Sequence, residues 1–193
     1  MIRIFDSTET NFNHYENILR DAISCKVTEE ENGTFFMELV TPIDHRIEEN
    51  KILKVPTPRG EQLFRISKPV RSLDGGKRVY SAFGMHIFYD LSDNFILNIR
   101  PTDVTAINAG KAILNGTELP HNFTFKSNVQ GLNTSNFVRM NPVQAMIGDQ
   151  ENSLLNRWGG FLYRDNFEID LRATSLDRGY EIAFGKNLTG VKE

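Results

Sequence analysis

Residues 156–169 constrain local structure more than any other stretch of this chain. They read Asn-Arg-Trp-Gly-Gly-Phe-Leu-Tyr-Arg-Asp-Asn-Phe-Glu-Ile. Apolar spacing through Leu154, Leu155 and Trp158 marks a helix that ends on the sole tryptophan. Gly159-Gly160 turns the chain. Phe161 to Arg164 then runs out as a strand, Asp165-Asn166 reverses it, and Phe167-Glu168-Ile169 returns. A helix is thereby pinned to a β-hairpin, and nothing in the segment supplies catalytic chemistry.

The first half of the chain reads as strands. Alternation at Ile23, Cys25 and Val27 leads to Glu29-Glu30-Glu31-Asn32-Gly33, and the return strand alternates Phe35, Met37 and Leu39 before Pro42. Asn-Gly is a strong hairpin signal because both residues tolerate positive φ. The three glutamates read as a solvated hairpin tip. Further strands are expected at 51–55, 62–69 and 78–82, the last two joined by the glycine turn Leu73-Asp74-Gly75-Gly76-Lys77. Pro56-Thr57-Pro58-Arg59-Gly60 reads as a loop at a sheet edge. From Met85 the period changes, and Met85, Phe88, Tyr89 and Ser92 form a short helical face.

Pro101 marks a boundary. Thr102 and Asp103 suit an N-cap and first turn, which predicts a helix over 103–115 stopped by Asn115-Gly116. Strands are expected at 95–99, 123–125 and 137–140. Asn141-Pro142 starts one broken helix or two short ones, with Gly148-Asp149 as the break. Strands at 160–164, 167–173 and 180–184 finish the chain, the last two joined at Asp177-Arg178-Gly179. The fold class is therefore α+β and β-dominated.

A net charge of -3 argues against a nucleic-acid-binding face. The single cysteine, Cys25, excludes an internal disulfide and reads as a small core residue. No apolar run approaches the roughly 20 residues needed to cross a bilayer, so no membrane segment is expected. Met1 to Asp6 is strand-like and not a signal peptide, which implies synthesis in the cytoplasm.

The four histidines, His14, His45, His86 and His121, lack metal-ligand spacing. His86, beside an apolar run, reads as a structural residue bonding the backbone. Asp90 with Asp93, and Asp165 with Glu168 and Asp170, are the carboxylate groupings that acid–base glycosidase chemistry could use. Glu168 and Asp170 alternate with Phe167, Ile169 and Leu171, as an exposed strand face does. Ser153 lacks a nucleophile-elbow setting, and neither Gly75-Gly76-Lys77 nor Gly159-Gly160 matches a phosphate loop. Trp158 reads as a core anchor before a sugar platform. No residue is assigned to catalysis, to a cofactor or to a metal.

Taken in order, four stretches resemble the N-terminal region of phage and prophage tail-tip hub proteins, the tail-associated lysin or prophage endopeptidase tail family. They are Leu19–Gly33, Pro56–Ile66, His86–Leu91, and Asn156–Phe167 with the later Gly185-Lys186-Asn187-Leu188. The resemblance implies folds related to phage baseplate hub domains. A barrel-like hub domain would cover 1–99 and an α+β second domain 100–185, with 186–193 beginning a return to the hub. The sequence departs from that pattern. It stops where relatives continue into a returning barrel, it is shorter near 12–18 and 44–51, and any lysin domain is absent from it. The implied role is a virion structural component of the tail tip, not an enzyme. It would form a homotrimer that meets a distal tail protein or tail tube protein and helps close the channel. Segments 51–60 and 62–69 are expected to be edge strands that serve as interfaces. A cell-wall peptidoglycan or polysaccharide hydrolase, or a carbohydrate-binding module of the tail, is the alternative reading.

Overall fold

A computed structural model of the chain describes residues 1–14, 17–42 and 44–176. The expected strand 180–184, its turn at 177–179 and the returning segment 186–193 lie outside the described residues.

The first body is a seven-stranded, wholly antiparallel sheet. Its strands are β1 (Ile2–Phe5), β2 (Ile18–Leu19), β3 (Ser24–Glu29), β4 (Phe35–Thr41), β5 (Ile52–Thr57), β6 (Gly60–Asp74) and β7 (Lys77–His86). They lie in the order β2-β1-β5-β6-β7-β4-β3. The two edge strands are thus separated by only four residues, 20–23. That link spans at most about 18 Å, whereas the edges of a flat seven-stranded sheet stand ~29 Å apart. The sheet must curl until its edges approach. It is barrel-like, yet β2 and β3 do not pair with each other.

Period-two alternation fills the curl. Ile2, Ile4, Phe35, Met37, Leu39, Leu53, Val55, Phe64 and Ile66 form one buried cluster. The alternate residues Phe5, Ile52 and Leu63 cover the other face with Phe12 and Ile87, and Phe167 from the second body packs on them.

Segments 51–60 and 62–69 are not edges along most of their length. β5 and β6 are the third and fourth strands of the seven. Pro56 sits near the end of β5, opposite Glu61. Pro69 pairs with Ala82 of β7, beyond the point where β5 stops at Ile52↔Arg65. Each proline lies where its missing N–H is not needed by a central ladder. Both hairpin strands also run further than expected. A bulge at Ser67 shifts the register, and the ladder then continues to Asp74↔Lys77. The turn between them has φ of 55° at Gly75 and 78° at Gly76, a positive pair that glycine adopts without penalty.

The second body begins as β7 ends. Met85 and His86 belong to β7, so the expected helix is a 3-10 turn, Ile87–Asp93, burying Ile87, Phe88 and Leu91. Then follow β8 (Ile96–Ile99), α1 (Ala106–Asn115), β9 (Thr124–Ser127), β10 (Phe137–Met140), α2 (Pro142–Ile147), α3 (Leu154–Trp158), β11 (Phe161–Asp165) and β12 (Glu168–Arg172). β10 pairs with β8, and β12 lies between antiparallel β11 and parallel β9. Phe88, Leu91 and Ile96 join Ile113, Phe125, Phe137, Met146, Leu162 and Ile169 in one core. Among the described residues no helix is long and apolar enough to cross a membrane.

Helix α1 starts three residues later than the 103–115 expectation. Val104 exchanges both backbone hydrogen bonds with Asn133, and the Asp103 N–H donates to Thr134 Oγ1. These tertiary bonds keep 103–104 out of the helix, with Asp103 in the left-handed region at φ 53° and Val104 in an isolated bridge to Asn133. Asn141 does cap α2, in a reciprocal capping box with Gln144.

Helix α1 lies tight on β9 at Gly110, where a Cβ would fall 2.2–2.5 Å from the Phe125 ring. Glycine ordinarily costs a helix about 1 kcal/mol relative to alanine. Here the close approach dominates. Gly110→Ala should therefore lower stability by about 1–3 kcal/mol in urea unfolding, against its helix propensity, and Phe125→Leu in the same chain should recover part of the loss.

Candidate functional site

The two bodies meet through a polar latch built from two hairpin tips. In the β3–β4 tip, Asn32 has φ 55° and turns its carboxamide onto β11. Its Nδ2 donates to Gly160 O (3.0 Å), and its Oδ1 accepts from Leu162 N (2.7 Å). The β11–β12 tip returns the arrangement. Asn166, at φ 52°, accepts from Leu63 N at Oδ1 (2.8 Å) and donates from Nδ2 to Glu61 O (3.0 Å). Each amide takes the place of a strand's peptide group against residues i and i+2 of the other body.

Arg164 lies between these tips and is 2% exposed. Its guanidinium donates to Gly33 O (2.6 Å), Glu30 O (3.0 Å) and the Tyr89 hydroxyl (3.2 Å). The Glu29 carboxylate lies 3.9 Å away. Nε has no hydrogen-bond partner; the group instead lies over the Phe35 and Phe88 rings, 5.3 and 5.8 Å from their centroids. The Tyr89 hydroxyl also donates to Gly33 O. The glutamate tip is thus a docking ground and not a purely solvated turn. Its backbone carbonyls hold Arg164, Glu29 pairs with Arg59, and Glu31 accepts from Ser175.

His86 completes the latch. It is fully buried and stacks on Phe35 at 4.4 Å. Its Nδ1 accepts from Phe88 N, which caps the 3-10 turn and assigns the proton to Nε2. Nε2 donates to Gln62 Oε1 (3.0 Å), which also accepts from Asn166 N (3.1 Å). Gln62 Nε2 in turn donates to Asp165 Oδ1 (3.0 Å). Burial holds the imidazole well below its ordinary pKa, and the Arg164 and Arg59 cations add to the effect. His86 is a neutral structural group with both ring nitrogens engaged.

The remaining candidates lie apart. His121 bonds Phe123 N and Leu114 O, His45 pairs with Asp21 at 2.6 Å, and His14 lies 3.8 Å from Glu9. Asp90 receives a bidentate guanidinium from Arg65, Asp165 accepts from Gln62, Glu168 pairs with Lys126, and Asp170 with Arg172. Ser153 caps α3. The Trp158 ring N–H donates to Val104 O, and its side chain packs on the second core. Cys25 is half-buried, and burial pushes its thiol up. Among the described residues, no three His, Cys, Asp or Glu side chains gather as metal ligands.

Sequence reasoning passed over Arg164, Gln62 and Asn166. A readable signal existed. Arg164 shares its strand face with buried Leu162, and Gln62 shares its face with buried Phe64 and Ile66. A polar residue in an inward register asks for a partner.

No family model and no curated protein matches the chain. Solved structures do. Prophage tail protein gp18 from Listeria monocytogenes EGD-e superposes with a TM-score of 0.61 at 17% identity, over 89% of this chain and 50% of that one. The fold is that of prophage tail proteins. A tail protein from Neisseria meningitidis MC58 gives 0.55 at 10% identity, over 88% and 49%. An E. coli type VI secretion component, c3393, similar in structure to the T4 tail proteins gp27 and gp5, gives 0.51 at 9% identity, over 89% and 48%. The chain spans about half the length of these tail-fold proteins.

Two outcomes follow from the latch. Arg164→Met removes the charged donor from the Glu30 and Gly33 carbonyls and should cost about 3 kcal/mol in urea unfolding. Arg164→Lys should recover less than half, because one ammonium does not reproduce the fork. Trp158 fluorescence and far-UV circular dichroism should cease to report coincident transitions once the bodies uncouple. For His86 the folded pKa is depressed, so below the unfolded value of 6.5 the unfolded chain binds a proton that the folded chain refuses. Stability from this group is complete above that pH and falls by about 1.4 kcal/mol per unit below it. His86→Gln should make the slope between pH 6.5 and 5 shallower.

Proposed function

We propose that this chain is a structural component of a phage or prophage tail tip, the hub at the end of the tail tube. The observation that carries the reading is the tail-protein fold, shared with a prophage tail protein over 89% of the chain. The latch supports it, since a building block that transmits load between neighbours must behave as one body. In this reading the chain is made in the host bacterial cytoplasm and ends in the virion tail tip. Its first body meets copies of itself and a distal tail protein or tail tube protein. Three copies form a ring, and the second body projects to help close the channel. The chain does this work by surface complementarity, without bond-breaking chemistry of its own.

Native mass spectrometry of the purified chain, alone and with the tail tube or distal tail protein encoded beside it, is the direct test. The expected result is a trimer, or a trimer formed on the partner. A chain that stays monomeric both alone and with those partners would contradict the reading.

A further inference from the structure

The hairpin formed by β6 and β7 outruns the sheet that carries it. β5 stops opposite Arg65, and β4 stops opposite Tyr80. Beyond those points residues 72–79 form a two-stranded ribbon with both edges open among the described residues, while 68–71 keep one edge open. An isolated ribbon of this kind is marginal in water. It reaches ~23 Å past the bulge at Ser67. Its side chains do not resemble an inert loop. Leu73 is 74% exposed and Val70 51%. Residues 68–80 hold four cations, Lys68, Arg71, Lys77 and Arg78, against one carboxylate. Arg71 pairs with Asp44 at 3.1 Å, and the other three cations leave the arm basic on a chain of net charge -3.

The complementary surface lies at the foot of the arm. A cleft of about 350 Å³ is lined by Glu49, Asn50, Arg65, Ser67, Tyr89 and Asp90. Met85 also lines it and is half-buried. Arg65 is consumed by Asp90, and Lys51 lies 3.7 Å from Asp6 and 3.8 Å from Glu48. Glu49 has no ion pair among the described residues and is exposed. Among the described residues Glu49 is therefore the unpaired charge of the cleft, with half-buried Met85 and Tyr89 as apolar surface beside it, a counterpart to the arm's basic flanks around exposed Leu73.

We propose that the arm of one copy docks in the cleft of the next copy of this chain. Lys77 and Arg78 face Glu48 and Glu49, and Leu73 meets Met85 and Tyr89. Because arm tip and cleft are different patches, the contact is heterologous, and repeated rotation closes it into a ring. This names the contact within the ring proposed above and rests on that reading.

Charge reversal tests it in the full chain. An arm variant carries Lys68→Glu, Lys77→Glu and Arg78→Glu; a cleft variant carries Glu48→Lys and Glu49→Lys. All five side chains are exposed, so thermal unfolding and circular dichroism should match the unaltered chain. Sedimentation equilibrium should show each variant associating at least roughly tenfold more weakly, and one chain bearing both sets should regain the original association. Weakening without recovery in the doubly altered chain overturns this pairing, since another acidic surface then receives the arm. Oligomers indifferent to either set overturn it while leaving the ring intact. A chain monomeric throughout, with or without its tail partners, overturns both.

Discussion

The structure depends on one buried cation. Arg164 is carried by the second body, yet two of its three hydrogen-bond acceptors are carbonyls of the first body's Glu30 and Gly33. A guanidinium stripped of water is tolerable only while such partners hold it. The bodies cannot part without returning Arg164 to solvent and taking the charged donor from the Glu30 and Gly33 carbonyls. The flanking amides, Asn32 and Asn166, make the junction geometrically specific, since each matches a backbone donor and acceptor two residues apart. With Phe167 packed on the first body's Phe12 and its neighbours, these bonds hold the two cores as one block.

That rigidity gives the rest of the surface its meaning. A curled sheet with nearly joined edges has few open strands of its own. The open backbone is concentrated instead on the ribbon at 72–79, where β6 and β7 have both left their neighbours behind. A rigid block with one projecting arm is what the proposed assembly role requires. The dispersed ion pairs of the carboxylates and the satisfied nitrogens of His86 and His121 fit the same picture.

Features set by local chemistry were legible in the amino-acid sequence. Asn32-Gly33 with Phe35, Met37 and Leu39 announced a hairpin and its buried face, and Asn141-Pro142 announced a helix start. Features set by distant partners were not. Thr102-Asp103 looked like a helix cap because the bonds from Asn133 and Thr134 to the same backbone are invisible along the chain. Pro56 and Pro69 speak truly about missing N–H groups, but not about how far the adjoining strands extend, so two central strands read as edges along the chain. The latch residues hid for a related reason. Arg164 and Gln62 occupy inward registers that periodicity alone would fill with apolar side chains, and only the assembled bodies show what each one bonds; His86, by contrast, reads from the sequence as a structural residue bonding the backbone, and it accepts from Phe88 N.

Native-state hydrogen exchange tests the claim that the bodies form one block. The amides to follow are Leu162 N and Leu63 N, which donate across the junction to Asn32 and Asn166. The account predicts that both exchange only with the slowest core amides of the two bodies, such as Met37 and Ile169. Exchange at Leu162 and Leu63 while those core amides stay protected would show the junction opening by itself, and would contradict it.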